Sequence, residues 1–414
     1  MREMRDSGIE WVGAIPQDWQ LSKIGNLYTQ RNEKVSDKDY QPLSVTMQGI
    51  LPQLATAAKT NDGDNRKLVR VGDFAINSRS DRRGSCGISP LDGSVSLINI
   101  ILTPRTAMHP GYYNWLFHTT LFADEFYKWG HGIVADLWTT RWQEMKSITV
   151  PVPEYAEQER IAAFLDAECA EIDAVLEKTR ASIEEYKKLK QAVITQAVTK
   201  GVRGDRPMKD SGIEWIGDIP AEWDVLNLVA ADMRCHVQQL NVHLQRRPIP
   251  WVRIEDFEGK YIESSKAGLG VSMKTVKEMN LKVYPVGTIL CTSSCIMGKC
   301  AIVSRELVSN QRFIGIIPDQ TTDKTYLYYL MTSNAERMNF LSTGALQANL
   351  SRSAFEHLKV QFPPYSEQQE IAAYLDDKCE KIDELILKKQ QYLTEIENYK
   401  KSLIYEYVTG KREV

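Results

Sequence analysis

Glu157-Gln158-Glu159-Arg160-Ile161-Ala162-Ala163 opens a stretch that returns as Glu367-Gln368-Gln369-Glu370-Ile371-Ala372-Ala373, at an offset of 210 residues. Over 157–173 and 367–383, 10 of 17 positions are identical. Two unrelated helices do not agree so well, so the chain reads as two similar halves. In the first copy Ile161, Leu165, Cys169, Ile172, Leu176, Ile183, Tyr186 and Val193 recur mostly at steps of three, four and seven. In the second, Ile371, Leu375, Cys379, Ile382, Ile386, Leu393, Ile396 and Leu403 do the same. Such steps lay one apolar seam along a helix and suit coiled-coil packing. The patterns predict helices to Thr199 and Thr409, stopping near Gly201 and Gly410. Ser366 with Gln369 is a capping-box signature, and Pro363-Pro364 favours a helix start there. Each helix would be a rod of about 65 Å. Two rods with matching seams pack most simply on each other; the alternative is that each lies on its own globular domain.

A second repeat shows that the unit is the whole half. Asp6-Ser7-Gly8-Ile9-Glu10-Trp11-Val12-Gly13-Ala14-Ile15-Pro16-Gln17-Asp18-Trp19 returns at 210–223 with 10 of 14 positions kept. Paired tryptophans in a Gly-punctuated segment read as an arm that docks by its aromatics, for packing rather than ligand binding. Between arm and helix each half holds a mixed pattern. Strands are predicted at 68–76, 96–102, 286–291 and 313–317, and helices at 112–127 and 326–340. The two middles share this order but little sequence, which suggests one scaffold with two recognition tasks. The segment 200–207 is rich in Gly, Pro and charge and reads as a connector.

The chain has 414 residues, enough for several domains, and a net charge of −3. That is not the charge of a protein that grips DNA unaided. The helical segments are mildly acidic, while the middles are near neutral with local basic clusters. No apolar run reaches about 18 residues, and the first residues lack an apolar core, so neither a membrane span nor a secretory signal is expected. Seven cysteines, odd in number and mostly in apolar patterns, suggest a reducing cytosol.

Signatures of catalysis fail one by one. Phe362-Pro363-Pro364-Tyr365 resembles the tail of an amino-methyltransferase motif, but Phe362 cannot hydrogen-bond an amine. No phosphate loop is present: Gly298-Lys299 and Gly410-Lys411 lack the upstream glycine and the hydroxyl. Glu144-Met145-Lys146 and Glu258-Gly259-Lys260 have no clear partner aspartate for a nuclease. Cys291, Cys295 and Cys300 lack standard zinc spacing and read as small residues of a strand–turn–strand. Two pairs of segments look like contact loops instead. Asn77 to Gly84, with Arg79, Arg82 and Arg83, matches Thr292 to Lys299, with Ser294 and Lys299. Asp136 to Arg141 matches Gln347 to Arg352, with Asn349 and Arg352. Arg, Asn and Ser suit base edges and phosphates.

Two arms, two divergent middles and two Pro-x-Tyr-x-Glu-Gln-x-x-Ile-Ala-x-x-Leu-Asp helices together resemble the specificity subunit of type I restriction–modification systems, over nearly the whole chain. The resemblance implies an α+β chain with two target recognition domains joined by two long helices, packed as an antiparallel coiled coil with a pseudo-twofold repeat. Its parts would be 1–152, the first recognition domain with its arm; 153–205, the central helix and linker; 206–362, the second recognition domain; and 363–414, the C-terminal helix. It further implies that each recognition domain reads one half of a bipartite double-stranded DNA target while the helices act as a ruler. Two modification (methyltransferase) subunits would bind the helices, and restriction (motor-nuclease) subunits would complete the complex. S-adenosylmethionine, ATP and magnesium are expected on those partners, with no cofactor or active site on this chain and a bacterial or archaeal cytoplasmic location. Candidate DNA-contacting residues are Arg79, Arg82, Arg83, Arg141, Ser294, Lys299, Asn349 and Arg352. A coiled-coil adaptor whose divergent domains bind proteins, and a solitary methyltransferase, are the competing classes.

Overall fold

The computed structural model describes residues 2–53, 63–132, 138–228, 234–236, 249–293, 298–310, 312–341 and 352–414. Contacts divide the chain into two compact units, Met1–Arg180 with Gln390–Val414, and Ala181–Lys389. The division falls inside both long helices, Tyr155–Lys200 and Tyr365–Val408.

In the first unit the arm is a hairpin, with Met4–Asp6 paired to Ala14–Pro16. Its repeated letters have individual tasks. Asp6 Oδ1 accepts from Gly8 N at 3.0 Å, and Ser7 Oγ accepts from Ile9 N at 3.1 Å. Gly8 sits at φ +69°, the left-handed region where a side chain is strained. The second unit repeats the turn, with Asp210 Oδ1 accepting from Gly212 N at 2.9 Å and Ser211 Oγ from Ile213 N at 3.2 Å. At the end of each arm a buried tryptophan meets the first turn of a long helix. Trp19 Nε1 donates to Glu157 Oε2 at 2.9 Å, and Trp223 Nε1 donates to Glu367 Oε2 at 3.0 Å. Arg2 also pairs with Glu157, and Arg206 Nη1 lies 2.6 Å from Glu367 Oε1, an ionic contact without hydrogen-bond alignment. The neighbouring glutamines fasten a second element. Gln158 Oε1 accepts from His109 N at 2.9 Å and Gln368 Oε1 from Asp323 N at 2.8 Å, each just before a domain helix. The repeated Glu-Gln pair is thus a clasp between arm, long helix and domain.

The helices begin at Tyr155 and Tyr365, two residues earlier than the repeat itself. Ser366 therefore lies within the first turn, and the expected capping box does not form. The amides of Glu367 and Gln368 donate instead to Pro364 O, at 2.9 and 3.0 Å. The helices pack antiparallel in each unit. In the first, Phe164 stacks near Tyr407 at 4.4 Å, Lys400 Nζ donates to Asp173 Oδ1 at 2.6 Å, and Arg180 Nη2 to Glu397 Oε1 at 2.6 Å. In the second, Lys190 Nζ donates to Asp383 Oδ2 at 2.6 Å. Leu176, Ile183 and Ile382 are buried on the seam, while Ile172, Ile386 and Leu393 are half-buried. The starts of the seams serve the domains as well. Ile161, Leu165 and Cys169 enter the first core with Leu403, Tyr407 and Val408, and Ile371, Leu375 and Cys379 enter the second. Residues 390–414 thereby complete the first unit: Tyr405 OH and Lys411 Nζ both donate to Val12 O, at 2.9 and 2.6 Å, and Tyr112 OH donates to Val408 O at 2.8 Å.

Both domains are α+β and share a sheet topology. In the first, Phe74–Asn77 lies between Cys86–Ile88 and Asn99–Pro104. In the second, Ile289–Thr292 lies between Cys300–Val303 and Phe313–Ile317. The strand predicted at 68–76 is two strands, Arg66–Val69 and Phe74–Asn77. Gly72 turns the chain at φ +86°. Asp73 fixes the turn, accepting from Arg70 N at 2.9 Å and Arg31 Nε at 2.8 Å. The strands expected at 96–102 and 286–291 are displaced to Asn99–Pro104 and Ile289–Thr292. The helix predicted at 112–127 is Pro110–Phe117 and Thr120–Lys128, because Thr119 Oγ1 caps the second by accepting from Phe122 N at 3.2 Å. Its counterpart likewise splits into Lys324–Ser333 and Ala335–Leu341.

Removing a clasp carboxylate would leave its indole N–H unpaired and its arginine with only a more exposed carboxylate, Asp18 for Arg2 and Glu222 for Arg206. Glu367→Ala is expected to cost about 3–5 kcal/mol, as for breaking a buried ion pair. A lowered urea midpoint followed by tryptophan fluorescence checks this; an unchanged midpoint would show that the clasp is not stabilising.

Candidate nucleic-acid interface

The hairpin between Phe74–Asn77 and Cys86–Ile88 carries the first predicted contact segment. Its backbone is tied from several sides. Ser78 N donates to Ile98 O at 3.3 Å, Arg79 N to Asn77 Oδ1 at 3.0 Å, and Ser85 N to Arg82 O at 3.0 Å. Beneath it Tyr127, 5% exposed, donates its hydroxyl to Asn77 O at 3.1 Å and Arg82 O at 3.3 Å. Burial pushes the Tyr127 hydroxyl well above its ordinary pKa, so it stays a proton donor.

The second predicted segment meets the first. Ser80 N donates to Trp138 O at 3.0 Å and Thr140 N to Ser78 O at 2.9 Å, with Arg79 and Thr139 as bridge partners. Arg79, Arg82, Arg83 and Arg141 are all exposed on these joined segments. Arg83 pairs with Asp124 and lies 5.8 Å from the Tyr127 ring centroid, whereas Arg82 is 3.8 Å from Asp81. No ion pair holds Arg79 among the described residues. Trp138, 40% exposed, adds an aromatic face to this surface that the sequence reading passed over. The result is a cationic ridge with fixed backbone and exposed arginine side chains, suited to phosphates and base edges.

In the second domain the matching hairpin holds Lys299. Thr292 N donates to Lys299 O at 2.9 Å, Lys299 N donates to Thr292 Oγ1 at 3.1 Å, and the Lys299 side chain is exposed. Ser294 and Asn349 lie outside the described residues. Arg352 begins the short helix Arg352–Glu356, the counterpart of Trp142–Met145.

Residues 235–398 match the family model described as the type I restriction modification DNA specificity domain. This chain is thus similar to the specificity subunits of type I restriction–modification systems. The MjaIX specificity subunit of Methanocaldococcus jannaschii is 32% identical over 174 residues, 40% of each chain. The putative MjaX subunit of the same organism is 26% identical over 66% of this chain and 61% of its own. The MjaVIII subunit is 22% identical over 97% of this chain and 94% of its own. The alignments thus span less than two thirds of the first two relatives and nearly all of the third. Among solved structures, a chain from work on complex assembly and conformational transition of the type I system superposes with a TM-score of 0.76 at 13% identity, covering 96% of this chain and 99% of that one. The HsdS subunit of Thermoanaerobacter tengcongensis gives 0.52 at 15% identity, covering 96% and 98%. At these identities the likeness is one of fold.

In this chain the two Glu-x-Lys triplets have structural roles. Glu144 Oε2 accepts from Arg141 N at 3.0 Å, and Lys260 Nζ donates to Asp376 Oδ1 at 2.5 Å beneath Tyr261, Tyr328 and Tyr329. The Pro363-Pro364 segment is helix entry, with Pro363 O accepting from Gln368 Nε2 at 2.9 Å. Among the described residues no helix is long and apolar enough to cross a membrane.

If Tyr127 holds the ridge, Tyr127→Phe loosens it locally. Amide hydrogen exchange across 79–85 should accelerate severalfold, at a stability cost of about 1 kcal/mol. Unchanged exchange there would remove Tyr127 from the support.

Proposed function

We propose that this chain is a specificity subunit, the non-catalytic reader of a type I restriction–modification complex. Each domain reads one half of a bipartite DNA target, and the long helices set the spacing and dock two methyltransferase subunits. The observation that carries the reading is the shared hairpin. One loop leaves the same place in the same sheet in both domains, while its chemistry changes from three arginines to a single lysine among small residues. Arms and helices repeat their letters; the loops do not, as two readers of different half-sites require.

The first ridge supplies Arg79, Arg82, Arg83 and Arg141 toward DNA, and the second hairpin supplies Lys299; Ser294, Asn349 and Arg352 are further candidate contacts from the sequence alone. An arginine on a guanine edge forms two bonds to O6 and N7, whereas a lysine acts as a point charge. With a chain charge of −3, partner subunits would share the neutralisation of phosphates. Exposed Leu385 and Leu387 in the second unit, and separately Tyr392 and Tyr399 in the first, are apolar side chains that such partners would cover. S-adenosylmethionine, ATP and magnesium belong, in this reading, to the methyltransferase and restriction subunits, and the complex works in the cytoplasm.

Base-resolution mapping of methyladenine tests the proposal in a host expressing the chain with its methyltransferase. The expected result is a split motif with a fixed spacer that vanishes when the chain is deleted. The same motif methylated without the chain would leave it as a protein-binding adaptor. Arg79→Ala should relax one base of the motif, at about 1–3 kcal/mol of discrimination. An unchanged motif and rate would take Arg79 off the DNA. One heptad inserted in each helix is expected to lengthen the spacer while sparing both half-sites; a constant spacer would show that the helices do not measure it.

A further inference from the structure

We propose that Cys291 and Cys300 are a redox modification site, closing a reversible disulfide across the base of the second hairpin when a hydroperoxide is present. The two residues face each other in the antiparallel strands Ile289–Thr292 and Cys300–Val303. The next pair along, Thr292 and Lys299, exchanges a backbone hydrogen bond of 2.9 Å. Bonded and unbonded pairs alternate in such a ladder, so Cys291 and Cys300 form an unbonded pair, with Cα atoms about 4.5 Å apart. That separation falls within the range of roughly 4.4–6.8 Å over which a disulfide closes without moving the backbone. The two sulfurs already touch, at 2.9 Å.

Access distinguishes the two thiols. Cys300, 6% exposed, lines a groove of the second unit together with Lys260, Tyr261, Lys299 and Tyr328. Cys291 is fully buried behind it. The order of events follows. The Cys300 thiolate attacks the outer oxygen of the hydroperoxide, an S–O bond forms, the O–O bond breaks, and the alkoxide or hydroxide leaves with a proton. Cys291 sulfur then attacks Cys300 sulfur, the S–S bond forms, and the S–O bond breaks with loss of water. Two thiols are oxidised by two electrons and the peroxide is reduced by two; a dithiol reverses the change. Disulfides in reducing compartments are commonly transient and redox-sensing rather than structural.

The first domain supplies an internal control. Cys86 begins the matching strand, but the residue opposite it is Ile76. With burial pushing its thiol up to about 12 and no thiol across the ladder, Cys86 has no route to the same bond. The inference does not depend on what the hairpin binds.

Peptide mapping of the full-length chain after brief hydrogen peroxide treatment and alkylation tests it, because trypsin cuts after Lys299, between the two cysteines. The expected product joins peptide 283–299 to peptide 300–305, is two hydrogens lighter than the free pair, and separates with dithiothreitol. Cys295, outside the described residues, shares the longer peptide, so the Cys295→Ser chain is treated in parallel and should give the same link. Cys291→Ala should lose it while keeping its circular dichroism, and Cys86 should remain alkylatable after unfolding. Free, singly alkylated cysteines in the Cys295→Ser chain, a sulfinic acid at Cys300 without a link, or a bond placed at Cys295 would each overturn the proposal.

Discussion

A carboxylate in the first turn of each long helix, half-buried at Glu157 and buried at Glu367, is the interaction on which the rest of the structure depends. Glu157 and Glu367 each take an indole N–H and an arginine, two partners of opposite polarity that offset the cost of removing the charge from water. The site at a helix N-terminus also favours negative charge. Through the adjoining glutamine the same turn fixes the amide before a domain helix. Arm, long helix and domain are therefore oriented by two consecutive side chains. This explains why the Glu-Gln pair returns unchanged where neighbouring surface positions do not.

What was legible in the sequence was what makes one-to-one contacts. The Asp-Ser-Gly-Ile turn, the second tryptophan of each arm and the helix seams all repeat because each letter has one partner. Three features were not legible. The helix starts earlier because Pro364 O accepts from the amides of Glu367 and Gln368, which puts Ser366 inside the first turn. The strand at 68–76 broke because a buried Asp73 outweighed an apolar pattern. The meeting of Arg79 with Thr139 spans some sixty residues and rests on backbone bonds, which leave no signature in side-chain type.

The two domains separate scaffold from surface. Their central strands keep order and direction, and their cores are filled by different residues on the same plan: Phe74, Tyr113, Phe117 and Phe122 in one, Ile289, Ile314, Tyr326 and Leu330 in the other. A hairpin loop held through its backbone, as Tyr127 holds Asn77 O and Arg82 O, tolerates changed side chains at its tip.

The first unit is assembled from Met1–Arg180 and Gln390–Val414, whereas the second is the uninterrupted Ala181–Lys389. Translation delivers these pieces in sequence, and domains ordinarily fold as they emerge, first-made first. Here that order is inverted. The earliest residues must wait, with Val12 O, Tyr112 and the surrounding aromatic core uncovered, until Leu403, Tyr407 and Val408 have been synthesised. The later-made unit has all its parts beforehand. A nascent chain of this protein therefore lacks Leu403, Tyr407 and Val408 of its first core until nearly all of residues 1–414 have been made.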